Sequence, residues 1–479
     1  GTWQWNNGGT WTNIATTLSD ASGLYLTSGT GVRFVPATNF NGTPGSLTVR
    51  LVDSSASGLT NGGTVNVSTN GGSTAYSSGT VALSTSITAV NDAPVRTAGT
   101  LTAITVNEDS ANSTAVSLGL SAVTYGPGGG TDESSQTLTY TITAIPAFIT
   151  LFKANGTTAV TAGSTVTATE LQGLTYKTVA NANGSDNVTW TVVDSGSNVS
   201  PNSNTLTENL SVTVTAINDA PVRTAGTLTA ITVNEDSANS TAVSLGLSAV
   251  TYGPGGGTDE SSQTLTYTIT AIPAFITLFK ANGTTAVTAG STVTATELQG
   301  LTYKTVANAN GSDNVTWTVV DSGSNVSPNS NTLTENLSVT VTAVNDAPVI
   351  TPSGSLAYTE NGAAAAVNPA LALIDVDSTN ITGATVSITS GFTAGDTLGF
   401  TAQNGIAGSF NSSTGVLTLT GTATVANYQS ALRSVTFSSS SDAPTLLSAS
   451  RTVSWQATDD SGASSAVATS TINVTAVND

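Results

Sequence analysis

Every residue from 91 to 216 recurs unchanged 127 positions further on, in 218–343. Solenoid units run to about 20–50 residues, so a copy this long is instead a unit able to close a core of its own. The chain must therefore make the same fold twice in succession. Each copy opens on Asn-Asp-Ala-Pro, at Asn91-Asp92 and Asn218-Asp219. The pair returns at Asn345-Asp346, and as Asn478-Asp479 after a longer, diverged interval. Boundaries at these pairs divide the chain into 1–91, 92–218, 219–345 and 346–479.

Within a copy the dominant period is two. Leu138, Tyr140 and Ile142 alternate with threonines, as do Val188, Trp190 and Val192, and Leu210, Val212 and Val214 alternate with Ser211 and Thr213. Apolar residues alternating with Thr or Ser read as strands with one face buried and the other in water. Breaks such as Tyr125-Gly-Pro-Gly-Gly-Gly130 and Asn181-Ala-Asn-Gly-Ser185 punctuate them. One helical stretch is predicted over Thr169–Leu174 behind a Thr cap, with a counterpart over Thr424–Leu432. The fold class is all-β, a tandem array of antiparallel sandwiches. In the first segment Asp53 follows Gly1 much more closely than Asp194 follows Asp92. The expectation is an excerpt of a longer chain that begins inside a sandwich; strands supplied by another chain are the alternative.

Composition narrows the chemistry. The 479 residues carry 10 Lys+Arg against 29 Asp+Glu, a net charge of −19, and contain no His, Cys or Met. That charge repels phosphate backbones and anionic membrane surfaces, so nucleic acid is not an expected partner. No run approaches the roughly 20 apolar residues of a membrane span. Disulfides, thiolate nucleophiles, haem ligation and Ser-His-Asp catalysis lack their residues. Oxygen donors remain, and they suit hard cations, calcium above all.

Three acidic motifs recur at matching places. The linker pairs are Asn91-Asp92, Asn218-Asp219 and Asn345-Asp346. A second motif lies early in each copy: Glu108-Asp109, Glu235-Asp236 and, in the last, Glu360-Asn361. The third follows the Trp strand at Asp194, Asp321 and Asp459, with Asp53 in the first segment. An Asx turn at the start of a strand and solvated charges that protect a sheet edge are the plain readings. Carboxylates that face one another, however, repel unless a cation lies between them.

Ala457-Thr-Asp-Asp-Ser-Gly462, then an alternating strand and Ala476-Val-Asn-Asp479, resembles the end of a cadherin repeat. Asp375-Val-Asp377 resembles that family's D-x-D loop. The V-N-D-A-P-V junctions and the Asn39-Phe-Asn-Gly-Thr43 stretch are similar to the cadherin-like repeats of giant bacterial surface adhesins. The resemblance covers the whole chain and implies cadherin-like sandwiches with calcium at their junctions. It implies that the second junction uses Glu108, Asp109, Asn218, Asp219, Asp321 and Asp259. The third would use Glu235, Asp236, Asn345, Asp346, Asp375, Asp377 and Asp459, and the first Asn91, Asp92, Asp194 and Asp132. This chain departs from the pattern at Ala89, Ala216 and Ala343, where the linker's first acid would stand, and at Gly130 and Gly257, where the D-x-D loop would begin. Fewer carboxylates imply fewer or weaker ions.

The resemblance further implies a non-enzymatic extracellular stalk on a bacterial surface, with neighbouring repeats as its partners and any cell-surface or glycan ligand elsewhere in the parent protein. The alternatives are a subunit of an extracellular filament or sheath, built by self-association, and a carbohydrate-binding adhesin domain using Trp3 and Trp5. All six Trp read first as packing residues. Sequons such as those at Asn155 and Asn187 are expected by chance in a chain this rich in Asn and Thr. Lys153 and Lys177 lack any motif for an isopeptide bond.

Overall fold

The structure is a computed structural model that describes residues 1–238 and 240–478. They fall into two compact units. The first comprises 1–219, 256–262 and 326–329, and the second the remainder. Asp479, which closes the last linker pair in the sequence, lies outside the described residues.

In the first unit, alternation becomes a five-stranded sheet with strand order Thr165–Val166, Leu138–Ala144, Gly184–Asp194, Thr205–Thr215 and Ile104–Asn107. Its pairs are antiparallel except the last, where Ile104–Asn107 runs parallel to Val212–Thr215. A four-stranded sheet of Val116–Ser117, Thr175–Thr178, Ile149–Phe152 and Ala159–Val160 shares its core. Val188, Trp190, Val192, Leu210 and Val212 from one sheet, and Leu151 and Tyr176 from the other, are almost wholly buried. The Thr and Ser residues between them face outward, as the period of two requires. This is a β-sandwich. Residues 1–91 hold smaller sheets, including Thr10–Asn13, Thr2–Asn7 and Val32–Val35 in that order.

In the second unit the identical sequence builds the identical pair of sheets around Trp317. The diverged final segment has a six-stranded sheet and a three-stranded sheet around Trp455. The helix Val425–Arg433 begins behind Thr424, whose hydroxyl accepts from the Asn427 N–H. The shorter helix begins one residue earlier than predicted, at Ala168. Its cap is Thr167, because Glu170 completes a capping box with it: each side chain accepts from the other's backbone N–H.

Trp190, Trp317 and Trp455 are fully buried. Trp5 is only 5% exposed, and Trp3 donates its indole N–H to the Gly45 carbonyl. These two therefore do not form an open aromatic platform. Lys153 pairs with Glu170, and Lys177 sits over the Phe152 ring. Among the described residues no helix is long and apolar enough to cross a membrane.

Candidate cation-binding junctions

The linker proline is buried at each junction, at Pro94, Pro221 and Pro348. Proline cannot donate to a sheet ladder, so it ends one strand system and fixes the backbone angle at which the next begins. The acidic residues gather around that point.

At the first junction, the buried Asn91 is fully engaged. Its backbone N–H donates to Asn202 Oδ1 at 2.7 Å, and its amide donates to Asp194 Oδ1 at 3.0 Å and to the Ser203 carbonyl at 2.7 Å. Its own Oδ1 accepts from Gln136 at 2.6 Å. Next to it, the Asp92 N–H donates to Glu133 Oε1 at 2.6 Å. Glu133 is 2% exposed, and its carboxyl is pushed above the usual range by burial and by the charges of Asp92, Asp132 and Asp194, against the hydrogen bond from Asp92. Three buried acceptor oxygens here have no partner: Glu133 Oε2, Gln136 Oε1 and Asp194 Oδ2. Asp92 and Asp132 also line an open cleft of about 240 Å³ with Asn39, Phe40 and Gly130.

At the second junction, the Asp219 N–H donates to Glu260 Oε1. The Asp219 carboxyl is raised by burial and then by the charges of Asp109, Glu108 and Asp259. The buried Glu108 takes the Ile217 N–H at 2.8 Å on one oxygen and the Asn183 amide at 3.1 Å on the other. The Asn218 N–H donates to Asn329 Oδ1. Asp321 is buried and accepts from the Gly323 N–H in its own turn.

The third junction lies within the second unit. The Asp346 N–H donates to Asp377 Oδ2 at 3.0 Å, and Asp375 Oδ1 accepts from the Ser378 N–H at 2.9 Å. Asn345 donates to Asp459 Oδ2 at 2.7 Å. Glu235 takes the Val344 N–H at 2.8 Å. The Asp346 carboxyl is raised by burial and by the charges of Asp236, Asp377 and Glu235; Asp375 is raised by burial, with Asp377 beside it. Burial also works on Asp459, but hydrogen bonds from Asn345 and from the Ala463, Gly462 and Ser461 N–H groups outweigh it and hold that carboxyl low. Asp346 Oδ2 and Asp375 Oδ2 are buried without a partner.

Glu133 and Glu260 are the residues that sequence reasoning missed. The D-x-D comparison pointed to Asp132 and Asp259, yet both of those are exposed. Glu133 does for Asp92 what Asp377 does for Asp346, since both accept the linker N–H. The available signal was the adjacent Asp-Glu pair after the glycines, where neighbouring side chains point in opposite directions.

The unpartnered atoms at the first and third junctions are acceptor oxygens only, the donor type that calcium takes. Among the described residues, no three carboxylates are gathered closely enough to grip an ion by themselves. A bound ion would therefore draw also on amide and backbone oxygens and on water.

No protein-family profile matches the chain. It is 38% identical over 141 residues to halomucin of Haloquadratum walsbyi, a match that spans 28% of this chain and 2% of halomucin. Among solved structures it is similar to protocadherin gamma B7 extracellular cadherin domains 1–4, at 15% identity and TM-score 0.31, over 83% of this chain and 80% of that one. It is also similar to mouse cadherin-23 EC22–24, at 15% identity and TM-score 0.30, over 81% of this chain and 100% of that one.

Proposed function

We propose that the chain is an extender segment of a large extracellular surface protein: part of a sandwich at 1–91 followed by sandwich units 92–218, 219–345 and 346–479, stiffened by calcium at their junctions. The observation that carries this reading is the set of buried, unpartnered acceptor oxygens among like charges at Glu133, Gln136, Asp194, Asp346 and Asp375. Together with amide and backbone oxygens and water, carboxylates drawn from Glu133, Asp92 and Asp194 would hold an ion at the first junction, from Asp219, Glu108, Asp109 and Glu260 at the second, and from Asp346, Asp375, Asp377, Glu235 and Asp236 at the third. The cation would supply positive charge where carboxylates face each other. Exact duplication supports an extender, because copies change reach without changing chemistry. The match to halomucin supports an extracellular setting. The carboxylates recur at every junction, as a structural ion requires and a catalytic site does not.

Extracellular modules bind calcium at roughly 10⁻⁴–10⁻³ M. At about 100 times the dissociation constant an ion adds about 2.7 kcal/mol. Small-angle scattering and thermal melting in millimolar calcium and in chelator test the reading. Chelation is expected to lower the melting temperature and widen the scattering-derived size distribution. Identical curves in both buffers would remove the ion.

A further inference from the structure

The glycines before Glu133 are each hemmed in differently. A Cβ on Gly128, whose φ is +108°, would collide with the Ala93 carbonyl. A Cβ on Gly129 would stand 2.6 Å from Glu133 Oε2 and 2.8 Å from Asp92 Oδ2. These two residues fold the loop against the linker. Gly130 faces the other way: its Cβ would stand 2.7 Å from the Asn39 carbonyl oxygen and 3.4 Å from Asn39 Cβ. The same arrangement returns at Gly257, where a Cβ would collide with the Asn181 carbonyl. The residue presented is in both cases an asparagine in left-handed backbone, with φ of 60° at Asn39 and 55° at Asn181. Asparagine is among the few residues other than glycine that adopt this conformation readily. Asp109 Oδ1 accepts from the Asn181 N–H at 3.1 Å, which holds that asparagine in place.

We propose that the loops Gly128–Gly130 and Gly255–Gly257 are sockets for the preceding segment of the chain. The carbonyl of a left-handed asparagine seats on a position that must be glycine, and at the first junction this contact orients the segments on either side whether or not a cation is bound. Asp109 is then a positioning residue for the seated loop as well as a candidate ligand. The third junction is built otherwise. Asp377 takes the place of Glu133 on the linker N–H, but the stretch that leads to it, residues 374–377, contains no glycine, and Ile374 and Val376 are each 58% exposed.

Because the chain has no cysteine, Thr16→Cys and Thr157→Cys place two spin labels on exposed sites flanking the first junction. The label distance distribution is measured in the full chain, in calcium and in chelator. The wild-type socket is expected to keep the distribution narrow in both, and Gly130→Ala to shift and broaden it in both. Gly79→Ala, with open space around it, is expected to change nothing. Asn39→Val removes the left-handed residue without touching the core of 92–218 and is expected to reproduce the Gly130→Ala shift, which covers the case in which Gly130→Ala fails to fold. A wild-type distribution that broadens in chelator, or an Asn39→Val distribution that matches wild type there, overturns the socket. Calcium dependence of melting is read separately, so failure of the ion reading leaves this outcome distinct.

Discussion

At the residue scale, glutamates carry much of what happens at the junctions. Glu108, Glu235 and Glu360 each accept a backbone N–H from the strand end that leads into a linker, those of Ile217, Val344 and Val477. Without Glu108, the half-buried Ile217 N–H and Asn183 amide lose their acceptor, which costs about 1 kcal/mol, up to about 3 if neither reaches water. Glu108→Ala is accordingly expected to lower unfolding free energy by about that amount in denaturant titrations run in chelator. A change confined to calcium-containing buffer would instead mark Glu108 as a ligand alone. The presence of an acid at 108 was legible, since the motif recurs at 235 and 360. Its hydrogen-bonding partners were not, because they lie 75 and 109 residues away. The buried pair Arg451–Asp396, with both side chains fully enclosed, was also unreadable: nothing local marks a charge that burial will pair.

At the scale of elements, strands and caps were the most legible part. Alternation marked which face of Gly184–Asp194 turns inward, since Val188, Trp190 and Val192 all point to the core. The short helices are held by local chemistry, which carries its own pH signature. In the helix Ala295–Gln299, the Lys280 ammonium and then the Thr294 N–H hold the Glu297 carboxyl down to about 2, from an ordinary 4.5. A carboxyl lower in the folded state than in the unfolded one stabilises above the unfolded value and loses that contribution as pH falls. Protection of the helix amides from hydrogen exchange is thus expected to decline between 4.5 and about 2. Glu297→Gln should flatten that decline; an unchanged profile would place the effect elsewhere.

At the scale of the whole molecule, identical copies share a core but the junctions are not equal. The third has Asp346 and Asp375 oxygens without partners and no glycine socket. Labels at Thr284→Cys and Ser412→Cys, which flank it, are therefore expected to show a distance distribution that broadens in chelator and narrows in calcium, unlike the pair across the first junction. Equal behaviour of the two pairs would mean that the glycines at 128–130 make no difference. Sequence by itself determined the all-β class, the duplication, the strand faces and the acidic character of the linkers, because side-chain period and local turn chemistry act over a few residues. Only the tertiary structure decided that Glu133 rather than Asp132 meets the linker, that Asn91 is saturated by Gln136 and Asp194, and that Asn39 rests on Gly130. Those contacts join residues 41 to 103 positions apart. Which neighbour in a loop turns inward is set by how the sheets close around it, not by the residue's own preference.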